Sequence, residues 1–288
     1  MKLSRLLRSE DARQTLDLTL RLTQRSVSSE FKGTALGRLW SFINPLATIA
    51  IFALIFGVVF RGGVEPGRNS GINSFALWIG IGVLSWTFFS SGIMASMNAL
   101  VDNAGLLTKV YFPRQVLIYS AVLSLAVDFA FELLVLVIIA MILGGPGVLA
   151  MIPALLVVTV LVGMFAVGLG LMLSIATVYF RDLGHLWQIF NQMWMYASGV
   201  VFPLTMVNKV QNDLFDKGWQ VNGGPIPLTT ILRLNPAETY LEAFRSCLYD
   251  FALPSQPVFL ACLGWAVVML SLGLVFFRRH SASIVEEL

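Results

Sequence analysis

The sequence predicts an all-α integral membrane protein with six transmembrane helices, and three observations carry that prediction. First, 57% of the 288 residues are hydrophobic and only 12% are charged, about half the charge of an ordinary soluble domain. Second, six runs (42–60, 75–100, 116–143, 149–180, 183–207 and 258–277) reach or approach the roughly 20 apolar residues a helix needs to cross a bilayer. Third, the bases are lopsided. With connecting segments assigned alternately to two sides, thirteen of the nineteen Lys and Arg residues fall on the side of the N terminus. Cytoplasmic segments are the basic ones, so both termini are expected in the cytoplasm. The net charge of +3 is then a topology signal rather than a nucleic-acid footprint.

The chain reads as one transmembrane domain, 1–288, opening with a cytoplasmic leader, 1–41. The leader is polar and basic and lacks the apolar centre of a cleavable signal peptide. Within it, 10–31 can form an amphipathic helix lying in the cytoplasmic leaflet, with Leu16, Leu20, Val27 and Phe31 near one face and Arg21, Arg25 and Lys32 supplying charge. An ordinary solvated leader is the plainer alternative. The stretch "GRLWSFINP" then enters the first span, with Trp40 as interfacial anchor, Asn44 as expected helix cap and Pro45 at the first helical position.

Between the second and third spans lies "LLTKVYFPRQ", which joins two bases to two aromatics. Pro113 interrupts the helix, so the preceding residues can form a short separate helix across the ends of the spans. Leu106, Leu107, Lys109, Val110, Tyr111, Phe112, Pro113 and Arg114 make either an interface knuckle with rigid aromatic anchors or a plain turn with snorkelling bases. The next cytoplasmic crossing, "YFRDLGHLWQ", sets Arg181, Asp182 and His185 close together. Of the six runs only the third holds formal charges, Asp128 and Glu132, four residues apart on one helical face. Such a pair inside a membrane is either an ion site or an interhelical hydrogen-bond station, and the second is preferred here. The fourth run exceeds one crossing and must tilt or protrude.

Spans two and five are rich in aromatics. Trp78, Trp86, Phe88, Phe89, Trp187, Trp194 and Tyr196 could line a path and stack on sugars, or form membrane belts. The longest polar segment, 208–257, falls outside. It contains "NPAETYLEAFRSCLYD", a capped helix with Asn235 at the N-cap, Pro236 first and Glu238 three past the cap. Leu241, Phe244, Leu248 and Phe251 form its apolar face, and Glu238, Glu242 and Arg245 its expected wet side. Span six, 258–277, and a short cytoplasmic tail, 278–288, complete the chain. Cys247 and Cys262 are not an assumed pair, and no metal-type spacing occurs. None of the five lysines follows a glycine, so the chain holds no phosphate-cradling loop, and any ATPase driving it is a partner.

Taken in order, "LGRLWSFINP", "LLTKVYFPRQ", "DFAFELLVL", "YFRDLGHL" and "LNPAETYLEAFR" resemble the membrane subunit of type-2 ABC transporters that export polysaccharide. That family handles O-antigen, capsule, teichoic acid and related cell-wall glycans. The resemblance implies a homodimeric channel-forming permease in the bacterial cytoplasmic membrane, working with two ATPase chains on a lipid-linked glycan. ATP and Mg would act on those partners, and this chain would bind no cofactor. It assigns Leu106 to Pro113 to a coupling helix, the leader helix to the membrane interface, and the helix after Asn235 to a re-entrant gate. Two readings stay open beside it: a type-2 exporter of a small molecule, and an ion-coupled transporter using Asp128 and Glu132.

Overall fold

The structure, a computed structural model, describes residues 2–30, 32–55, 64–107, 109, 112–221 and 224–281. Helices dominate. In chain order they are α1 (Lys2–Ser29), α2 (Trp40–Phe52), α3 (Phe75–Asp102), α4 (Ala104–Leu107), α5 (Gln115–Gly144), α6 (Ile152–Tyr179), α7 (Leu183–Tyr196), α8 (Leu204–Asp216), α9 (Leu228–Arg233), α10 (Pro236–Leu248) and α11 (Gln256–His280). The only strands among the described residues are the two-residue pair β1 (Gln220–Val221) and β2 (Gly224–Pro225) in the segment between α8 and α9.

Five stretches are long and apolar enough to cross a membrane: Gly37–Ile55, Phe75–Asp102, Gln115–Gly144, Pro146–Tyr179 and Gln256–His280. Five of the six predicted runs therefore reappear within a few residues. The sixth, 183–207, does not form one helix. It is split into α7 and α8 by the non-helical stretch 197–203, which contains Gly199 in a left-handed conformation (φ 63°) and Pro203, the residue just before α8. Glycine and proline break a helix even inside an apolar run.

The bundle is built around α3, which is buried on most sides between α5 and α6; α11 packs along α6. At the crossing of α6 and α11, Gly168 faces Gly273, and a Cβ on either would overlap the other helix's backbone. In lipid, where apolar burial gives helices little reason to associate, such close backbone approach is a principal source of packing energy. One end of the bundle, the leader end, is closed by an apolar cluster that includes Leu100, Ile118, Leu171, Ile175 and Phe277. The opposite, far end holds the start of α3, the end of α5, the start of α11 and all of α10.

The first span starts earlier than its cap signal suggests. A 3-10 turn, Gly37–Leu39, leads into α2 at Trp40, and Pro45 lies inside the helix. Asn44 is therefore not a cap. Ser41, Pro45 and Ile49 fall four residues apart and are the buried face of α2, so packing against α3 holds the helix together through the one hydrogen bond that proline removes. The leader helix also runs longer than expected. It packs on α5 through a face containing buried Thr19 and Thr23, whose hydroxyls donate to the carbonyls four residues earlier. Leu16 and Leu20 stay exposed on another side, and an ion pair joins Arg21 to Asp17 at 2.8 Å. Phe31 lies outside the described residues.

Candidate functional site

The feature that distinguishes this bundle is how α10 meets the break in the fifth run. Interrupting a helix beside an apolar bundle frees carbonyls that have no water to bond, and each must find a donor. Two residues of α10 and its cap supply them. The Asn235 side chain caps α10 by accepting from the Ala237 amide at 3.1 Å. Its amide nitrogen donates to the Ala197 carbonyl at 3.0 Å and to Ser198 Oγ at 2.9 Å. Its oxygen also accepts from the Trp194 indole at 2.8 Å. One turn from the other end, Arg245 donates to the Gly199 carbonyl at 3.0 Å and to that of Val200 at 2.8 Å. The guanidinium lies 3.5 Å from the centre of the Trp78 ring, in cation–π contact. Gly82 makes room for it, since a Cβ there would run into the guanidinium. A third tie runs from the Tyr240 hydroxyl to the Cys262 carbonyl of α11 at 3.0 Å.

This arrangement corrects the expected orientation of α10. Glu238 and Arg245 do not form a wet side: Glu238 is 3% exposed and Arg245 is half-buried. Phe244, Leu241 and Leu248 are fully buried in the bundle, so α10 is a wedge between α3, α6 and α11 rather than a helix floating with one face in lipid. The donors needed by the broken backbone pull the arginine inward, and the acid comes with it. Burial, then the neighbouring Glu242, pushes the Glu238 carboxyl up to about 7, against the pull of Arg245 and Arg233. Burial likewise lowers Arg245 to about 9, opposed by Glu238 and Glu242. Beyond α10, Asp250 accepts from the Arg68 amide at 3.0 Å and the Tyr249 hydroxyl donates to the Glu65 carbonyl at 3.2 Å, sewing the loop before α3 to the same wedge.

The aromatic candidates are mostly core. Trp78, Trp86, Phe88 and Phe89 are all under 9% exposed. Phe88 stacks on Phe129 at 4.5 Å, Phe89 on Phe165 at 5.2 Å, and Phe129 meets Phe244 of the wedge edge-on. Trp187 is buried and Trp194 half-buried, each edge-on to the other. Only Tyr196 keeps a mostly free side chain. Large flat rings this close to a kinked backbone fill the space that small side chains would leave void, so they do not line an open path within this chain.

At the leader end, Leu106, Leu107 and Phe112 pack against the apolar cluster that contains Phe277. Arg114 donates to the Ser281 carbonyl after α11. Lys109 and Pro113 are exposed. The short helix here is the four-residue α4, and Val110 and Tyr111 lie outside the described residues. Arg181, Asp182 and His185 are exposed at the same end. Asp128 lies thirteen residues along α5, which spans 30 residues and so about 45 Å, longer than a hydrocarbon core of about 30 Å. Glu30, Arg38 and Glu132 lie close enough to act on it electrostatically. Arg38, ninety positions away in sequence, is the counter-charge that reading α5 alone could not supply. The two cysteines are free and buried, and no metal-holding cluster occurs among the described residues.

The far end is thus closed by a wedge that locks a broken helix, and the leader end carries exposed Lys109 beside an apolar cluster. Residues 17–212 match the ABC-2 type transporter family. The chain belongs to that family: it is the membrane subunit of an ABC transporter, a multi-pass protein of the bacterial inner membrane, and ATP hydrolysis falls to a separate subunit. Among curated proteins it is 27% identical over 272 residues to the O-antigen export system permease protein RfbA of Myxococcus xanthus, covering 94% of this chain and 95% of the relative. It is 24% identical over 273 residues, with the same coverage, to a protein of that name from Klebsiella pneumoniae. A second Klebsiella pneumoniae relative of that name matches at 24% over 272 residues.

Proposed function

We propose that this chain is the channel-forming permease of an ATP-driven exporter that moves an O-antigen-type, lipid-linked polysaccharide out of the cytoplasm. The carrying observation is the match, over nearly the whole of both chains, to permeases named for O-antigen export. Two copies of this chain pair with two ATPase chains, the leader end faces the cytoplasm, and α7 completes a sixth crossing up to the break. The loop Leu106–Arg114 is the coupling element. Its support is mechanical: Leu106, Leu107 and Phe112 rest on the cluster reached by α3, α5, α6 and α11, so a push on the loop is felt by four helices at once. Arg181, Asp182 and His185 present a second polar contact beside it. At the outside, Asn235, Pro236, Glu238, Phe244 and Arg245 hold the gate, and Asp128 with Glu132 serves structure. A strain lacking this gene should retain glycan inside the cell, and the intact gene should restore it to the surface. The purified pair should contain equal numbers of permease and ATPase chains. Restoration by the permease in the absence of its ATPase would sink the proposal, as would unaltered surface glycan in the deletion strain.

A further inference from the structure

At the far end, beside the wedge, lies a cavity of about 470 Å³, within the size range of small-molecule sites. It lies at the edge of the aromatic core, and Arg245 of the clasp lines it without filling it. Its chemistry is unusual for a cavity against a membrane bundle. From α10 and its approach come Arg233, Glu238, Glu242, Arg245 and Ser246. The loop before α3 adds Glu65 and Arg68, and Asp250 closes the far wall. Trp78 forms part of its base, with one ring face already covered by Arg245. A smaller cavity of about 200 Å³ adjoins it, sharing Arg233, Glu238, Glu242 and Ser255 as walls.

Three cations and four anions interleave on these walls, so neither sign of charge prevails. A phosphate would meet four carboxyl groups, and a metal ion three guanidinium groups. An acyl chain would offer none of them a hydrogen bond, and for one without a partner in the fold, such as Glu238 Oε2, that costs kilocalories. A hydroxyl is donor and acceptor at once, and a molecule carrying several of them can satisfy carboxylate acceptors and guanidinium donors together. One such acceptor is waiting: Glu238 lines both cavities, is 3% exposed, and its Oε2 has no hydrogen-bond partner. We propose that this paired cavity is a carbohydrate-binding site, taking one or two neutral sugar units at the exit of the bundle. Within the export reading, on which the source of the sugar rests, the occupant is a unit of the departing glycan, and Glu242 and Arg233 read its hydroxyls where the two cavities join.

The test is ligand-observed NMR, by saturation transfer, on the full chain in lipid nanodiscs prepared without glycoside detergents. The probes are methyl mannoside, methyl galactoside, rhamnose and their disaccharides, with glycerol 3-phosphate as a headgroup mimic. At least one sugar should receive saturation from the wild-type chain. Ser246→Trp, which fills the cavity, should abolish the signal. Glu242→Gln, which keeps the shape, should weaken binding about tenfold through loss of one charge-assisted hydrogen bond. Both variants are first matched to wild type for thermal unfolding. Equal signal in wild type and both variants places the sugar elsewhere and overturns the site, as does no signal from any sugar, or contact by glycerol 3-phosphate alone. Export is scored separately by restoring surface glycan in the deletion strain. A chain that restores export yet contacts no sugar keeps the proposed function and loses this site. One that contacts sugar through Glu242 but fails to restore export keeps the site and loses the function.

Discussion

The far end and the leader end of this bundle are held together by different physics. At the far end, geometry is fixed by directional bonds: Asn235 and Arg245 each reach two partners in the break of the fifth run, and Tyr240 reaches a third helix. At the leader end the contacts are apolar, Leu106, Leu107 and Phe112 on a cluster of mostly aliphatic side chains that includes Phe277, with Arg114 to Ser281 as a polar tie. Directional bonds to buried carbonyls are costly to leave unmade, so rearranging the far end means exchanging several of them together. Apolar surfaces tolerate sliding, because contact is lost on one side as it is gained on the other. In the exporter proposed above, that difference suits a gate at the far end and a drive at the leader end.

The comparison breaks most directly at Arg245. Arg245→Met removes both donors to the break and the contact over Trp78, and should cost about 3–5 kcal/mol, the scale of breaking a buried charged network. Thermal unfolding in nanodiscs would read it, and a shift near zero would mean the break is held by something else. Asn235→Ala should follow at about 2 kcal/mol, combining a lost cap with lost side-chain bonds. Asn235→Asp, which keeps the acceptor for Ala237 and Trp194 but not the donors, should recover only part of that.

Acidity sharpens the same contrast. Glu238 is pushed up to about 7 in the fold, above the usual glutamate value near 4.3. Between those values the folded state binds a proton that the unfolded chain does not, so stability falls as pH rises through that window and levels off above it. Glu238→Gln mimics the protonated form. Its unfolding temperature should exceed that of wild type near pH 8, and the two should converge near pH 4; a constant gap across that range would show Glu238 is not the group responsible. The smallest effect on stability is expected at the other end. Phe112→Ala, half-buried, should cost only about 1 kcal/mol yet strongly reduce export if the loop transmits force. Normal export by this variant would remove the loop from the mechanism.

Much of the fold was legible because bilayer crossing imposes a length and a composition: six runs satisfy both, and the structure keeps five of them as long spans. The wedge helix was legible at its start, where Asn235 and Pro236 are a local signal that the structure honours. Its orientation was not. A charged residue on an amphipathic helix is ordinarily solvated, and the reason for Arg245 to turn inward lies in the carbonyls of Gly199 and Val200, some 45 positions away. The break that frees those carbonyls did leave a trace, Gly199 followed by Pro203 inside an apolar run, but hydropathy averages over it. Sequence distance likewise hid the electrostatic influence of Arg38 on Asp128. The aromatics stayed ambiguous for a different reason: composition cannot distinguish a ring that lines a path or sits in a belt from one that fills a core, where most of them are buried.

The crossing of α6 and α11 has a mechanical meaning. With Gly168 and Gly273 set backbone to backbone, each helix sits in a notch of the other, and neither can shift along its axis without driving a larger neighbouring side chain into that notch. The pair is therefore fixed in register along its length. Phe277, on the leader side of that contact, belongs to the apolar cluster under Leu106 and Phe112, and the Cys262 carbonyl, on the far side, receives the Tyr240 hydroxyl of the wedge. One register-locked helix thus ties the two ends of the bundle together.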